Sequence, residues 1–207
     1  MGSKQYFDMV AREWDNMRSG FFSENVRQKA LDVAKAQRGK VAADIGAGTG
    51  FMTEGLVSHG LRVIAVDESQ EMLDVMRRKF RDVEEVDYRL GEAEHLPIAD
   101  ESVDYVFANM YLHHVDSPQK AIAEMARILK PGGKLVITDL DEHHYEFLRT
   151  EQSDRWLGFQ RQQIQRWFTG VALKNVSVDC VGENCCAQAD CGNACAGVSI
   201  FVASGEK

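Results

Sequence analysis

At 207 residues, 44% of them hydrophobic, the chain has the length of one domain and enough apolar residues for a core that needs no disulfide or metal staple. Its formal charge of −8, with no Lys/Arg block, argues against phosphate-backbone binding and so against a nucleic-acid partner. No run of about 18 apolar residues is present, and the opening "MGSKQYFDMVAREWD" has neither an apolar stretch nor a small-residue cleavage site, so a soluble, cytoplasmic protein without a membrane partner is expected.

In chain order, residues 1–39 read as a helical preface, with Val26, Ala30, Leu31 and Ala34 at roughly helical spacing. From there β-branched runs alternate with amphipathic stretches, the pattern of a parallel sheet with crossover helices. Strands are predicted at 40–45, 61–66, 86–90, 103–108 and 134–140. Met72, Leu73, Met76 and Phe80 mark one intervening helix, and Ile122, Met125, Ile128 and Leu129 another. Pro131 is expected to stop that helix, and Gly132–Gly133 to turn the chain into the next strand. Ile164, Trp167, Phe168 and Val171 form a further helical stripe. Two last strands are predicted at 175–180 and 197–204, with the cysteine segment as the long connection between them.

"ADIGAGTGFMTEGL" puts Gly46, Gly48 and Gly50 between the first strand and a helix, where the backbone turns tightly and free N–H groups face a ligand. Asp67 ends the second strand, where a carboxylate can accept both ribose hydroxyls of a nucleoside. The spacing is G-x-G-x-G, and Asp44 stands just before it. An anion there repels a pyrophosphate and suits a ligand bearing an ammonium group, such as S-adenosylmethionine.

"VAADIGAGTG", "VIAVDES", "GEAEHLPIADESVDYVFANMYLHHV" and "LKPGGKLVITDL", in this order over residues 40–140, resemble the motifs of class I S-adenosylmethionine-dependent methyltransferases, especially the menaquinone- and ubiquinone-biosynthesis branch. The resemblance implies an α/β, Rossmann-like, seven-stranded and mostly parallel sheet, its last strand antiparallel between the fifth and sixth and helices on both faces. It implies one domain over 1–207: a cover (1–39), a cofactor-binding core (40–140), and C-terminal helices with the last two strands and a Cys-rich loop (141–207). For the cofactor it implies Asp44, Gly46, Gly48 and Gly50 at the methionine end, Asp67 and Glu68 at the ribose, Glu92 and Ala93 at the adenine, and Asn109 under the transferred methyl. The aromatic preface resembles the lid of such enzymes, with Tyr6, Trp14, Phe21 and Phe22 as candidates for covering the cofactor.

All five cysteines, Cys180, Cys185, Cys186, Cys191 and Cys195, fall in one stretch. In the expected topology they hang beside "DLDEHHYEF", near Asp139, Asp141, His143 and His144, with His113 and His114 arriving from the fourth strand. Thiolates favour soft ions, so the five cysteines with His144 are candidate ligands of a thiophilic metal or metalloid. Cys185, Cys186, His113 and His143 are the candidates for acting on the acceptor. A structural zinc clip and a set of free thiols are the competing readings. Residues 139–207 also resemble methyltransferase domains fused to arsenic-type winged-helix repressors. Three functions stay open: methyl transfer to a thiol or metalloid such as arsenite, methyl transfer to a quinone-like small acceptor, and non-catalytic sensing of S-adenosylmethionine coupled to a metal. Acceptor and oligomeric state are not set by the sequence.

Overall fold

In the computed structural model the described residues, 2–188 and 195–207, build a seven-stranded sheet covered on both faces. Its strands are β1 (Val41–Ile45), β2 (Arg62–Asp67), β3 (Val86–Leu90), β4 (Val103–Asn109), β5 (Leu129–Leu140), β6 (Lys174–Gln188) and β7 (Cys195–Glu206). They lie in the order β3-β2-β1-β4-β5-β7-β6. The first five pair in parallel, and β7 runs antiparallel between β5 and β6, as the family resemblance implies. Strands buried on both faces read as nearly unbroken apolar runs, which is why "VAADI" and "VDYVFAN" stand out in the sequence.

Three helices, α1 (Ser3–Val10), α2 (Trp14–Phe21) and α3 (Glu24–Ala34), precede the sheet. Then come α4 (Phe51–Ser58), α5 (Gln70–Lys79), α6 (Pro118–Ile128), α7 (Phe147–Glu151) and α8 (Arg161–Gly170). Ala30, Leu31 and Ala34 of α3 pack with Met52 and Leu56 of α4 on Ala42, Phe107, Val136 and Val202. Ile122 and Met125 of α6 and Ile164 and Phe168 of α8 pack on the opposite face, on Ala43, Val106, Ile137 and Phe201. No helix among the described residues is long and apolar enough to cross a membrane.

Two expectations are corrected. The helix before Pro131 already ends at Ile128, and β5 begins at Leu129, because Gly132 N–H donates to Lys207 O (2.7 Å) and Lys207 N–H to Gly133 O (2.9 Å). The C-terminal residues thereby draw "KPGG" into the sheet. The cysteine segment is in large part strand: β6 and β7 continue past 180 and before 197 as a hairpin, with Cys185 opposite Val198 and Cys186 opposite Gly197. Between Cys180 and Asn184 the register shifts. Val176 and Val178 pack toward the α8 face, whereas Val181, Cys185 and Ala187 pack beneath Phe22, Leu140 and Leu148. The shift takes up two extra residues on β6, so the side-chain alternation is kept, and what changes along the strand is which face is covered.

Candidate active site

Strand order reverses between β1 and β4, and in an open α/β sheet the crevice beyond the carboxyl ends of such a pair is where ligands bind. The loop after β1 and the segment after β4 meet there. Gly46 has φ +68°, and a Cβ on it would lie 2.1 Å from Cγ of Tyr111, so only glycine lets these two segments close together. A cavity at this point is lined by Asp44, Gly46, Ala47, Glu68, Asn109 and Tyr111 from the sheet rim and by Phe7, Trp14, Arg18 and Phe22 from the cover.

Asp44 is 1% exposed, and its Oδ2 accepts a hydrogen bond from Thr53 Oγ1 (2.6 Å). Burial pushes its carboxyl up to about 7 against the pull of that hydrogen bond. Asp67 lines the cavity and also accepts from Gly48 N–H (2.8 Å) and Ser69 N–H (2.9 Å), which ties the glycine loop to α5. Burial raises it to about 6. Its neighbour Glu68 lines the cavity beside it and is also raised by burial. Asn109 accepts from Thr138 Oγ1 (2.7 Å) while lining the cavity.

Other expected contacts fall elsewhere. Gly48 stands under Trp14, and Gly50, at φ +95°, packs on Phe80, which leaves both serving the turn. Glu92 borders a neighbouring polar cleft with Glu68 and Arg155, and Ala93 is buried in the core. Tyr6 turns away: its hydroxyl donates to Gln152 Oε1 (2.7 Å), and Phe7, the next residue on α1, takes the place facing the cavity. Arg18 was not singled out by the sequence, since an arginine in an aromatic helix carries no motif. Its guanidinium lies over Phe51, 4.3 Å from the ring centroid, and its buried Nε has no hydrogen-bond partner among the described residues.

A second cavity shares Phe7, Trp14, Phe22, Met110 and His114 with the first. It is otherwise lined by Phe21, Leu140, Leu148 and Ala187, with His113, Gln152, Asp154 and Cys185 as its polar groups. His113 and His114 form a 3-10 turn, Leu112–His114, after β4. His113 Nδ1 donates to Asp139 Oδ1 (2.7 Å), on β5, and Nε2 lies 3.8 Å from Asp154 Oδ1. Burial pulls the imidazole down, but the carboxylates of Asp139 and Asp154 outweigh it and hold it at about 9. Burial raises Asp154 to about 6. His114, buried and beside His113, is driven well below its ordinary value. Asp154 is a residue the sequence reading missed, because "SDRW" follows α7 with no periodic signal.

The cysteines do not converge. Successive strand residues point to opposite faces, so Cys185 faces the second cavity while Cys186 is exposed on the other side. Cys180 is exposed beside Arg161, and Cys195, opposite Gln188, is exposed too. Cys191 lies outside the described residues. His144 is exposed, and His143, though buried, borders a separate open cleft with Asp141 and Tyr145. The set of thiols and His144 expected as metal ligands is therefore not assembled among the described residues, where only His113, His114 and Asp154 bring three candidate donor atoms within 4.8 Å of one another.

A family profile described as "Methyltransferase domain" matches residues 43–137. A demethylmenaquinone methyltransferase of Renibacterium salmoninarum is 37% identical over 147 residues, 70% of this chain and 61% of the relative, so the chain spans about three fifths of that protein's length. The YcgJ protein of Bacillus subtilis shares the fold with a TM-score of 0.76 at 19% identity, over 89% of this chain and 99% of that one. A Haemonchus contortus phosphoethanolamine N-methyltransferase, solved with phosphomonomethylethanolamine and S-adenosylhomocysteine, does so with 0.70 at 20% identity, over 87% of this chain and 52% of that one. Sequence likeness through the crevice-forming strands, on a sheet of this order, places the stretch it covers: residues 43–137 belong to the methyltransferase-domain family, and over 70% of its length the chain is similar to a menaquinone-biosynthesis methyltransferase.

Proposed function

We propose that the protein transfers a methyl group from S-adenosylmethionine to a small acceptor with a planar, apolar body. The observation that carries this reading is the shared wall between the two cavities, Phe7, Trp14, Phe22, Met110 and His114, which sets a cofactor and an acceptor side by side. When bound, S-adenosylmethionine supplies a methyl group already activated on a sulfonium. The chain's task is then to align the two reactants and exclude water.

The first cavity suits that cofactor. It offers a buried carboxylate, Asp44, and a guanidinium, Arg18, with an unused buried N–H, a pair that matches the ammonium and carboxylate of an amino-acid end. Glu68 is placed for the ribose hydroxyls. The aromatic rings of the cover close over both cavities, with Phe7 and Trp14 in edge contact at 5.2 Å.

For the acceptor, the mostly aromatic and aliphatic lining of the second cavity supports a ring compound, and a relative named demethylmenaquinone methyltransferase points to a reduced quinone. A thiol or metalloid acceptor keeps one specific support, the thiol of Cys185 in the same cavity. Formation of S-adenosylhomocysteine with a quinol, a thiol and arsenite offered separately decides between them. Turnover with the quinol that survives Cys185→Ser supports the first reading, and turnover with arsenite or the thiol that needs Cys185 supports the second. Failure to bind either S-adenosylmethionine or S-adenosylhomocysteine in a calorimeter would sink both. Arg18→Ala is expected to weaken S-adenosylmethionine binding at least tenfold, about the 1.5–3 kcal/mol of a charge-assisted hydrogen bond.

A further inference from the structure

The second cavity holds a cluster that methyl transfer does not by itself require. His113, His114 and Asp154 are each more than nine-tenths buried and all line it. The carboxylate oxygen of Asp154 stands between two imidazole nitrogens, 3.8 Å from Nε2 of His113 and 3.9 Å from Nδ1 of His114. Those separations are too long for hydrogen bonds. Donor atoms bound about 2.0–2.2 Å from one ion lie about 3–3.5 Å apart, so sub-ångström shifts would bring the three onto one centre.

Two further features fit an ion and not a hydrogen-bonded network. The two imidazoles reach the Asp154 carboxylate only beyond hydrogen-bond distance, which leaves its oxygens open to an ion. Asp139, fully buried, accepts from Nδ1 of His113 at 2.7 Å and from Leu140 N–H at 2.7 Å. That contact fixes the ring and leaves Nε2 facing Asp154, the carboxylate–imidazole arrangement that commonly orients a metal-bound histidine. The contact a cation would displace is weak: His114 Nδ1 lies 3.3 Å from Ser153 O.

We propose that His113, His114 and Asp154 form a binding site for a divalent first-row transition cation on the wall of the acceptor-side cavity, with Asp139 positioning His113. Two imidazoles and one carboxylate select ions of the zinc, cobalt, nickel and iron(II) kind over magnesium or calcium, which prefer all-oxygen sites. Three protein donors leave at least one coordination position, and the cavity is where it opens. An acceptor oxygen held there would be fixed next to the methyl donor. That last role rests on the proposed function, whereas cation binding does not.

The test uses the protein stripped with a chelator under reducing conditions and titrated with Co²⁺, followed by its visible d–d absorption. Cys180, Cys186, Cys191 and Cys195 are replaced by Ser so that Cys185 is the one thiol left. One equivalent is expected to bind, with affinity reduced at least tenfold by Asp154→Asn and by His114→Ala, and about 10–100-fold by Asp139→Asn. Far-UV circular dichroism on each variant, and the near-isosteric carboxamides at 139 and 154, separate loss of a ligand from loss of the fold. The proposal is overturned if the folded, stripped protein binds no Co²⁺ saturably, if binding ignores Asp154→Asn and His114→Ala, or if it vanishes on replacing those four cysteines alone. Binding of S-adenosylmethionine measured on the same samples reads the proposed function separately: its absence with Co²⁺ bound would leave the metal site standing.

Discussion

Gly46 sits at φ +68° with the Tyr111 ring against its Cα, so an alanine there meets two obstacles of different kinds. The left-handed backbone costs about 1–2 kcal/mol for any L side chain, and the new Cβ also drives Tyr111 out of its place. Gly46→Ala is expected to lower the melting temperature by about 2–8 °C on the backbone term alone, given about 2–4 °C per kcal/mol for a chain of this size. Adding Tyr111→Ala should relieve the clash without returning the backbone cost, so the second substitution should destabilise the Gly46→Ala protein less than it does the wild type. Equal effects in both backgrounds would mean that the ring does not press on Gly46. The paired cysteines make a different case for reading side chains one at a time. Cys185 is mostly enclosed, and burial pushes its thiol up to about 12, whereas Cys186 is exposed one residue later. With a mild alkylating agent at about pH 8, peptide mass spectrometry should find Cys186 modified well before Cys185, because the thiolate is the reacting form. Equal labelling would contradict the strand placement of the pair.

The cover helices depend on the hairpin as well as on the sheet. Ser23, the N-cap of α3, donates its N–H to Glu183 Oε1 (2.5 Å) and its hydroxyl to Glu183 Oε2 (2.7 Å), and Glu183 lies on β6. This clasp joins the turn between α2 and α3 to the strand that carries Cys185. Glu183→Ala leaves the Ser23 cap to Asn25 N–H intact but removes the link. Amide exchange should therefore quicken for residues around 22–26 and for the hairpin, while the β1–β4 core stays protected; unchanged exchange in both segments would show the clasp to be inert. The same hairpin marks where the sequence stopped being legible. β1, β2 and β4 announce themselves because strands buried on both faces must be largely apolar, and α3, α5 and α8 because one helical face is. "CVGENCCAQ" offers neither signal: glycine, asparagine and glutamate interrupt any apolar run, and the register shift at 180–184 leaves two extra residues on β6. The glycine loop could be read from its position between strand and helix, yet the hydrogen bonds that occupy Asp67, and the approach of Asp154 to His113, arise from contacts between segments distant in sequence.

Across the molecule, folding buries acidic groups along one crevice, and this couples stability to whatever binds there. Asp44, pushed up to about 7, and Asp67, to about 6, both favour the protonated form in the fold relative to the ordinary 3.8. The stabilisation from their protonation is complete below that value and is lost as pH rises through about 6 and 7. Paired carboxylates on the surface, such as Glu124 with Arg127, act in the opposite direction, so the difference between wild type and Asp44→Asn isolates the buried group. The variant's urea midpoint should fall less than the wild type's between about pH 5 and 7.5, the gap approaching a few kcal/mol since each pKa unit is worth about 1.4. A ligand that presents an ammonium to Asp44 favours the ionised carboxylate and must expel its proton. Binding of S-adenosylmethionine near pH 6 should then release part of a proton, seen as a dependence of the calorimetric enthalpy on the buffer's ionisation heat, and its affinity should rise by up to about tenfold per pH unit toward 7. Both effects should disappear in Asp44→Asn. Binding that is tight, independent of buffer and flat with pH would mean that Asp44 stays protonated against Thr53 and that the cation end of the ligand is held elsewhere in the cavity.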